Sequence, residues 1–347
     1  MRKLFDRTPA EAEVILRCLK AVATAEGTLA FDPVHRTTLD ALCTHVLHVR
    51  LDVDAIGARI PEEVERSVVC REVRANLVHV ALVLPFLEPA HEAARFAVVR
   101  ELARRFGVHE RELDDAARAA RGHYVRLALD TTRGTLAQLA GTSFPRSVVL
   151  YLKGFLHRDG DAALLARVQG FAEHREATVG RALLDYWRDN EFGVPGEPGS
   201  AQSQVFFKHD VHHVLGGYDT TPRGEFAVAG FCSGLGTQDF ADFTALLLLQ
   251  LQVAVQVDPT VAAWRDQFDP EVYFAALERA ERCSTDVAAA SWDPWTIVDR
   301  PLAEVRHAYG IDDGDGAMVR SPEDRWCGAL GPPARRRSPD KLRQARA

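Results

Sequence analysis

Proline opens helices again and again along this chain, and that pattern constrains its fold more than any other feature. Thr8-Pro9-Ala10-Glu11 reads as a capping box with proline at the first helical position. Behind it Val14, Ile15, Cys18, Leu19 and Val22 recur at helical spacing, and Gly27 stops the run. Asp32-Pro33 opens a second helix carrying Leu39, Leu42, Val46 and Val49. Pro61-Glu62-Glu63 opens a third, predicted to run to Leu84 before Pro85 and Pro89 break it. A fourth is predicted at about 91–106, stopped by Gly107, with a fifth after Val108.

The second half repeats the theme. Helices are predicted over 162–174 and 178–189, followed by a Gly/Pro loop at 190–203. Residues 204–215 form a further helix ended by Gly216-Gly217, and Thr221-Pro222 starts the next. An Ala/Leu-rich helix at about 238–257 ends at Asp258-Pro259, Pro270 begins another, and Asp299-Arg300-Pro301 begins the last. No strand pair is evident. The fold class is therefore all-α.

The stretch 130–160 carries no strong pattern, only the turn-like Phe144-Pro145 and Asp159-Gly160-Asp161. With 347 residues, two domains are the default. We expect a helical bundle at 1–140, a linker or boundary at 141–170, a second helical domain at 171–311, and a disordered tail at 312–347. That tail is rich in Gly, Asp and Pro and then carries Arg335-Arg336-Arg337. The arginine run reads as a solvated tail, with contact to an anionic membrane as the sharper alternative.

Composition excludes several classes. A net charge of −7 and a pI near 6.0 give no sign of a nucleic-acid binder. The six cysteines are scattered with no C-x-x-C pair, so buried free thiols are expected. The longest apolar run, 245–257, is interrupted by Gln250, Gln252 and Gln256 and falls short of the ~20 residues a bilayer span needs. No signal-peptide core follows Met1. A cytoplasmic protein is expected, at most peripheral at the inner face of a membrane. The scarcity of Lys beside Arg, with abundant Ala and Val, suggests coding by a GC-rich bacterial genome.

One cluster carries chemistry. Lys208-His209-Asp210-Val211-His212-His213, followed by Glu225, reads H-D-x-x-H-x11-E. His209 and His213 are four apart and share one helical face. Asp210 adjoins His209, and Glu225 falls in the first turns of the following helix. Two imidazoles and two carboxylates converging from a helix–loop–helix suit a divalent metal, zinc or another. His212 lies off the shared face. A zincin protease would place Glu where Asp210 stands, and Asp suits that general-base role poorly.

The motif and its surroundings resemble the coenzyme Q biosynthesis protein four family over about 171–311. The segments that carry the likeness are Thr178-Val179-Gly180-Arg181, Leu184-Asp185-Tyr186-Trp187, Gly224-Glu225-Phe226-Ala227, Ser291-Trp292-Asp293, Pro301-Leu302, Val305-Arg306 and Gly310-Ile311. Asp293 departs from the family's usual Glu, and Glu281-Arg282-Cys283 stands where a glycine is usual. The resemblance implies a metal held by His209, Asp210, His213 and Glu225. It also implies work on a polyprenylated aromatic ring, by decarboxylation and hydroxylation of the ring carbon or by scaffolding a quinone-biosynthesis complex at a membrane. Partners would be a prenylated aromatic lipid, other quinone-biosynthesis enzymes and further copies of the chain.

In the first half, Phe106-Gly107-Val108-His109-Glu110-Arg111-Glu112-Leu113 resembles the ending of TerB-like (tellurite-resistance) helical domains. Those often carry acidic turns, and here the turns keep Glu26, Asp32 and Glu88.

The residues leave two readings of the site open: a metal-dependent enzyme, or a lipid-binding scaffold with a structural metal. Closed structural zinc sites have four protein ligands and catalytic ones keep a position free, so the ligand count separates them. Catalytic residues beyond the ligands cannot be named from the sequence. Tyr218, in the loop between the ligands, is a candidate for lining a substrate pocket or an ordinary turn residue. Gly234-Leu235-Gly236 lacks the strand and Lys/Ser ending of a phosphate loop and reads as a helix contact or break. Trp292 and Trp295 read as core or pocket wall.

Overall fold

A computed structural model describes residues 4–108 and 160–311, apart from short breaks at 6, 176, 191, 199–203, 236–240, 258–261 and 290. The pattern-poor stretch through 159, the helix expected after Val108 and the tail from 312 lie outside the described residues. Within them the chain is all-α, and isolated bridges at Thr178–Pro301 and Val253–Arg265 are the only β pairing found there.

The first half holds α1 (Pro9–Ala23), α2 (Pro33–Leu42), α3 (Val64–Ser67), α4 (Arg71–Leu87) and α5 (Glu92–Phe106). The capping box forms as predicted: the Glu11 N–H donates to Thr8 Oγ1 at 3.2 Å and the Thr8 N–H to Glu11 Oε2 at 3.2 Å. Ile15, Cys18, Leu19 and Val22 of α1 are fully buried. Two expectations shift. Helix α2 ends at Leu42 and passes into a π turn, Cys43–Leu47, closed by His48 in a left-handed conformation (φ 50°). The predicted third helix starts at Val64, not at Pro61, and is two: Val68 is extended and ends α3, and α4 then runs through Pro85 to Leu87. Pro85 cannot donate to the Ala81 carbonyl, so α4 carries this gap in its bonding in its last turn and ends two residues later.

The second half holds α6 (Ala162–Gln169), α7 (Val179–Asp189), α8 (Gln204–Gly216), α9 (Pro222–Leu235), α10 (Ala241–Leu247), α11 (Pro270–Glu281) and α12 (Leu302–Tyr309). The Ala/Leu-rich helix is shorter than predicted. It leaves the α form at Leu247, makes a π turn over Leu248–Gln252, and stops before Ala254, which is left-handed (φ 62°). Buried Gln250 and Gln252 explain the stop: their side chains bond backbone of the returning chain, Gln250 Oε1 accepting from the Val257 N–H and Gln252 Oε1 from the Phe268 N–H.

Helices α9 and α11 cross at backbone distance. A Cβ on Gly230 would lie 2.2 Å from the Tyr273 carbonyl oxygen, and one on Gly234 would lie 2.2 Å from that of Leu277. The glycine-rich stretch is thus a helix–helix contact. Helix α11 also packs on α2 and its π turn, and Gln252 Nε2 donates to the Leu87 carbonyl at 3.0 Å. Residues on both sides of the expected boundary share one buried apolar cluster.

Among the described residues no single helix is long and apolar enough to cross a membrane; α4 and α5 reach that composition only as a pair bent by 107°. Cys18, Cys43, Cys232 and Cys283 are buried free thiols, whereas Cys70 is exposed.

Candidate metal centre

Helix α8 presents different chemistry on different faces, and its register decides which. Lys208 and His212, one turn apart, face the loop 286–292. Lys208 Nζ donates to the Ala288 and Ala289 carbonyls at 3.2 and 2.5 Å, and His212 Nε2 donates to Val287 O at 3.0 Å. Burial drives the His212 pKa down to about 3, leaving a neutral ring 3.5 Å from Cys232 Sγ. His212, which the spacing puts off the face shared by His209 and His213, is a buried anchor.

His209 and His213 occupy the neighbouring face, about 100° round the helix, with ring centroids 4.7 Å apart. Helix α8 ends at Gly216, and Gly217 turns the chain back at φ 74°. Asp219 Oδ1 then accepts from the Thr221 N–H and hydroxyl at 3.1 and 2.6 Å, which sets the start of α9. Gly224 fits against Asp219, whose carbonyl oxygen would lie 2.1 Å from any added Cβ. This tight return brings Glu225 to the histidines. Its Oε2 is 3.3 Å from His209 Nε2 and its Oε1 is 3.5 Å from His213 Nε2. One ligand atom from each of the three residues lies within 4.8 Å of the others.

Two details suit a divalent cation. His213 is fully buried, and its Nδ1 donates to the Tyr218 carbonyl at 3.3 Å. That bond leaves Nε2 on the side of Glu225, 3.5 Å from its Oε1, where it is buried without a hydrogen-bond partner. An unpaired buried polar atom costs about 1–3 kcal/mol, which a bound ion would offset. The spacing also fits. Donors about 2.0–2.2 Å from a tetrahedral zinc stand roughly 3.3 Å from one another; here His209 Nε2 and His213 Nε2 lie 3.3 and 3.5 Å from the two different oxygens of Glu225, and one atom of each residue lies within 4.8 Å of the others.

The electrostatics agree. Burial disfavours charge on His209, but Asp210 and Glu225 beside it overcome that and raise its pKa to about 10. Burial would raise Glu225, yet His213 and His209 hold it well below the usual carboxylate range.

Asp210 stands apart from the other three expected ligands. It is buried behind His209, its Oδ1 3.6 Å from His209 Nδ1, and its Oδ2 accepts from the Trp187 indole N–H at 2.7 Å. Tyr218 is also fully buried. Its phenol oxygen meets Arg279 Nη1 at 3.3 Å, so its carbonyl, through His213, is what serves the site.

Sequence reasoning missed several supports. Arg279 Nη1 donates to Gly216 O at 2.5 Å, while Arg306 donates to the carbonyls of Leu215 and Val214, each at 2.9 Å. Two guanidinium groups thus satisfy the last carbonyls of α8 and complement its dipole. Arg306 lies in a segment of the resemblance, but Arg279 had no signal because its partner is 63 residues away. From α7, the Tyr186 ring lies 5.5 Å from that of His213, and from α10, Phe243 meets His209 edge-on at 5.8 Å.

The acidic turns of the first half hold a guanidinium. Arg95, fully buried, bonds Asp32 Oδ2 at 2.9 Å and Glu88 Oε2 at 2.8 Å. Glu26 lies apart, accepting from the Ile60 N–H at 3.4 Å.

No family model, curated protein or solved structure matches the chain.

Proposed function

We propose that this chain binds a divalent metal through His209, His213 and Glu225 and uses it on an aromatic acid carrying a prenyl tail. The observation that carries the metal is His213 Nε2, an orphaned buried nitrogen aimed at a carboxylate. Two histidines and one carboxylate suit zinc with positions left free, and the same set suits iron(II). Bound there, such an ion would polarise a carboxylate or phenolate oxygen and stabilise the negative charge that develops on it.

The chain's own residues have definite tasks. Glu225 and the two imidazoles hold the ion, and the Tyr218 carbonyl keeps His213 in the tautomer that can ligate. His209 is 13% and Glu225 20% exposed, so one side of the cluster is open to an incoming group. Phe243 and Tyr186 give it apolar flanks. The prenylated aromatic acid is proposed from the resemblance of 171–311 to the coenzyme Q biosynthesis protein four family, and Phe243 beside His209 is compatible with it. Three converging ligand donors, with Asp210 engaged by Trp187, favour an open site over the closed four-ligand site of a structural ion.

The test has two parts. Purified chain should carry close to one zinc or iron per molecule, and His213→Ala should lose most of it; equal metal in both would refute the site. Binding titrations should then compare a prenylated hydroxybenzoate with the same ring lacking its tail. Each buried methylene contributes ~0.8 kcal/mol, so the tailed compound should bind far more tightly. Equal affinities would remove the prenyl-lipid reading and leave the metal centre standing.

A further inference from the structure

We propose that Trp187 is a positioning residue that prepares His209 for metal binding by holding Asp210 behind it. The inference rests on the metal-site reading above and concerns how that site is tuned.

Trp187 lies on α7, outside the helix–loop–helix that supplies the ligands, and is fully buried. Its ring packs against Phe207, with centroids 6.2 Å apart. Its one polar atom, Nε1–H, donates to Asp210 Oδ2 at 2.7 Å. That hydrogen bond occupies one carboxylate oxygen and fixes the Asp210 side chain. The second oxygen, Oδ1, then faces His209 Nδ1 at 3.6 Å, while Nε2 of the same ring faces Glu225 at 3.3 Å. The carboxylate and the metal position therefore lie against different nitrogens of one imidazole.

This arrangement has a chemical consequence. A carboxylate at Nδ1 favours the tautomer with its proton there, which leaves the Nε2 lone pair for a cation, and it makes the ring a stronger donor. The indole contributes by keeping Asp210 at the back of the ring. Without the N–H, the buried carboxylate would lose a charge-assisted hydrogen bond and the constraint on its rotamer. The chain of control thus runs from the Trp187 N–H through Asp210 to the His209 ring.

A double-mutant cycle read with cobalt(II) tests this. Cobalt(II) affinity and the visible absorption of the loaded protein would be measured for wild type, Trp187→Phe, Asp210→Ala and the double variant. Each single change should weaken cobalt(II) binding about 10–100-fold, the usual size of an outer-shell loss. The double variant should bind no more weakly than Asp210→Ala alone, because Trp187 acts only through Asp210. Band positions at saturation should not move, since His209, His213 and Glu225 remain the ligands.

If Trp187→Phe costs as much in the Asp210→Ala background as in wild type, Trp187 acts by bulk and the proposal is overturned. A shift of the cobalt bands in Asp210→Ala would overturn it too, by making Asp210 a ligand. Should Trp187→Phe fail to fold, Trp187→3-benzothienylalanine keeps the ring shape and removes only the N–H; it should give the same cycle, and wild-type affinity there would overturn the proposal. A wild-type chain that takes up no cobalt would instead refute the metal site, a distinct outcome.

Discussion

Gly230 lies against the carbonyl oxygen of Tyr273 so closely that a Cβ at this position would sit 2.2 Å from it. Gly234 repeats the contact one turn later with Leu277. Helix α9 carries Glu225 at its start, so the depth of this crossing helps to set where the carboxylate meets the histidines.

Gly230→Ala and Gly234→Ala should therefore each cost at least about 1–3 kcal/mol, the range for overpacking a filled interior. Both should also weaken metal binding by displacing α9. Gly170→Ala is the control: that position has nothing within 4 Å of an added Cβ and should stay within ±0.5 kcal/mol. Thermal or denaturant unfolding checks all three. A silent Gly230→Ala would mean that the helices do not approach this closely.

Metal loading should release protons. The metal-free cluster keeps a proton on His209, whose pKa is raised to about 10 against burial by Asp210 and Glu225. A metal requires the neutral ring, so binding at pH 7.5 should expel roughly one proton. Affinity should accordingly rise with pH until the His209 pKa of about 10 is reached. Calorimetry in two buffers of different ionisation enthalpy measures the number directly. No proton release would show that the metal-free site is not held together by an imidazolium.

The seam between the two halves should respond to pH through His45. Its Nδ1 lies 2.7 Å from Glu278 Oε2 and its Nε2 lies 2.7 Å from Glu271 Oε1. A neutral imidazole donates from one nitrogen only, so both contacts call for the imidazolium. Burial opposes that charge, but Glu278 and Glu271 raise the His45 pKa above its ordinary 6.5. Burial likewise opposes charge on Glu278, and His45 nevertheless holds it below its ordinary 4.5.

The signs follow by linkage. The His45 contribution is full below pH 6.5 and fades as pH rises through the raised value, while the Glu278 contribution is full above 4.5 and fades under acid. The gap in melting temperature between wild type and His45→Gln should thus be widest near pH 4.5–6.5 and close on the alkaline side. Glu271 is two-thirds exposed, so the effect should not exceed about 1 kcal/mol. A gap that widens with rising pH would reverse this assignment.

The sequence by itself determined the helices and the elements that carry the site. Thr8-Pro9, Asp32-Pro33, Thr221-Pro222 and Pro270 all start helices where the capping pattern places them, because capping and proline geometry are settled within one turn of chain. The spacing of His209 and His213 likewise dictates a shared face, a consequence of helical repeat alone. Helix ends were less legible. The π turns at Cys43–Leu47 and Leu248–Gln252 are not marked by any local signal. The second depends on Gln250 and Gln252 finding distant backbone partners.

Tertiary structure alone decided which acidic residue faces the two imidazoles. Asp210 and Glu225 are equivalent candidates by composition and spacing. Asp210 is drawn behind His209 by the indole of Trp187, 23 residues earlier, while Glu225 is delivered between the imidazoles by the tight Asp219–Gly224 return. The acidic turns of the first half went the same way: Asp32 and Glu88 are engaged by Arg95, and the Asp32 partner is 63 residues off. A carboxylate's role depends on the donor that reaches it first in three dimensions, and that donor is set by packing between helices far apart in sequence.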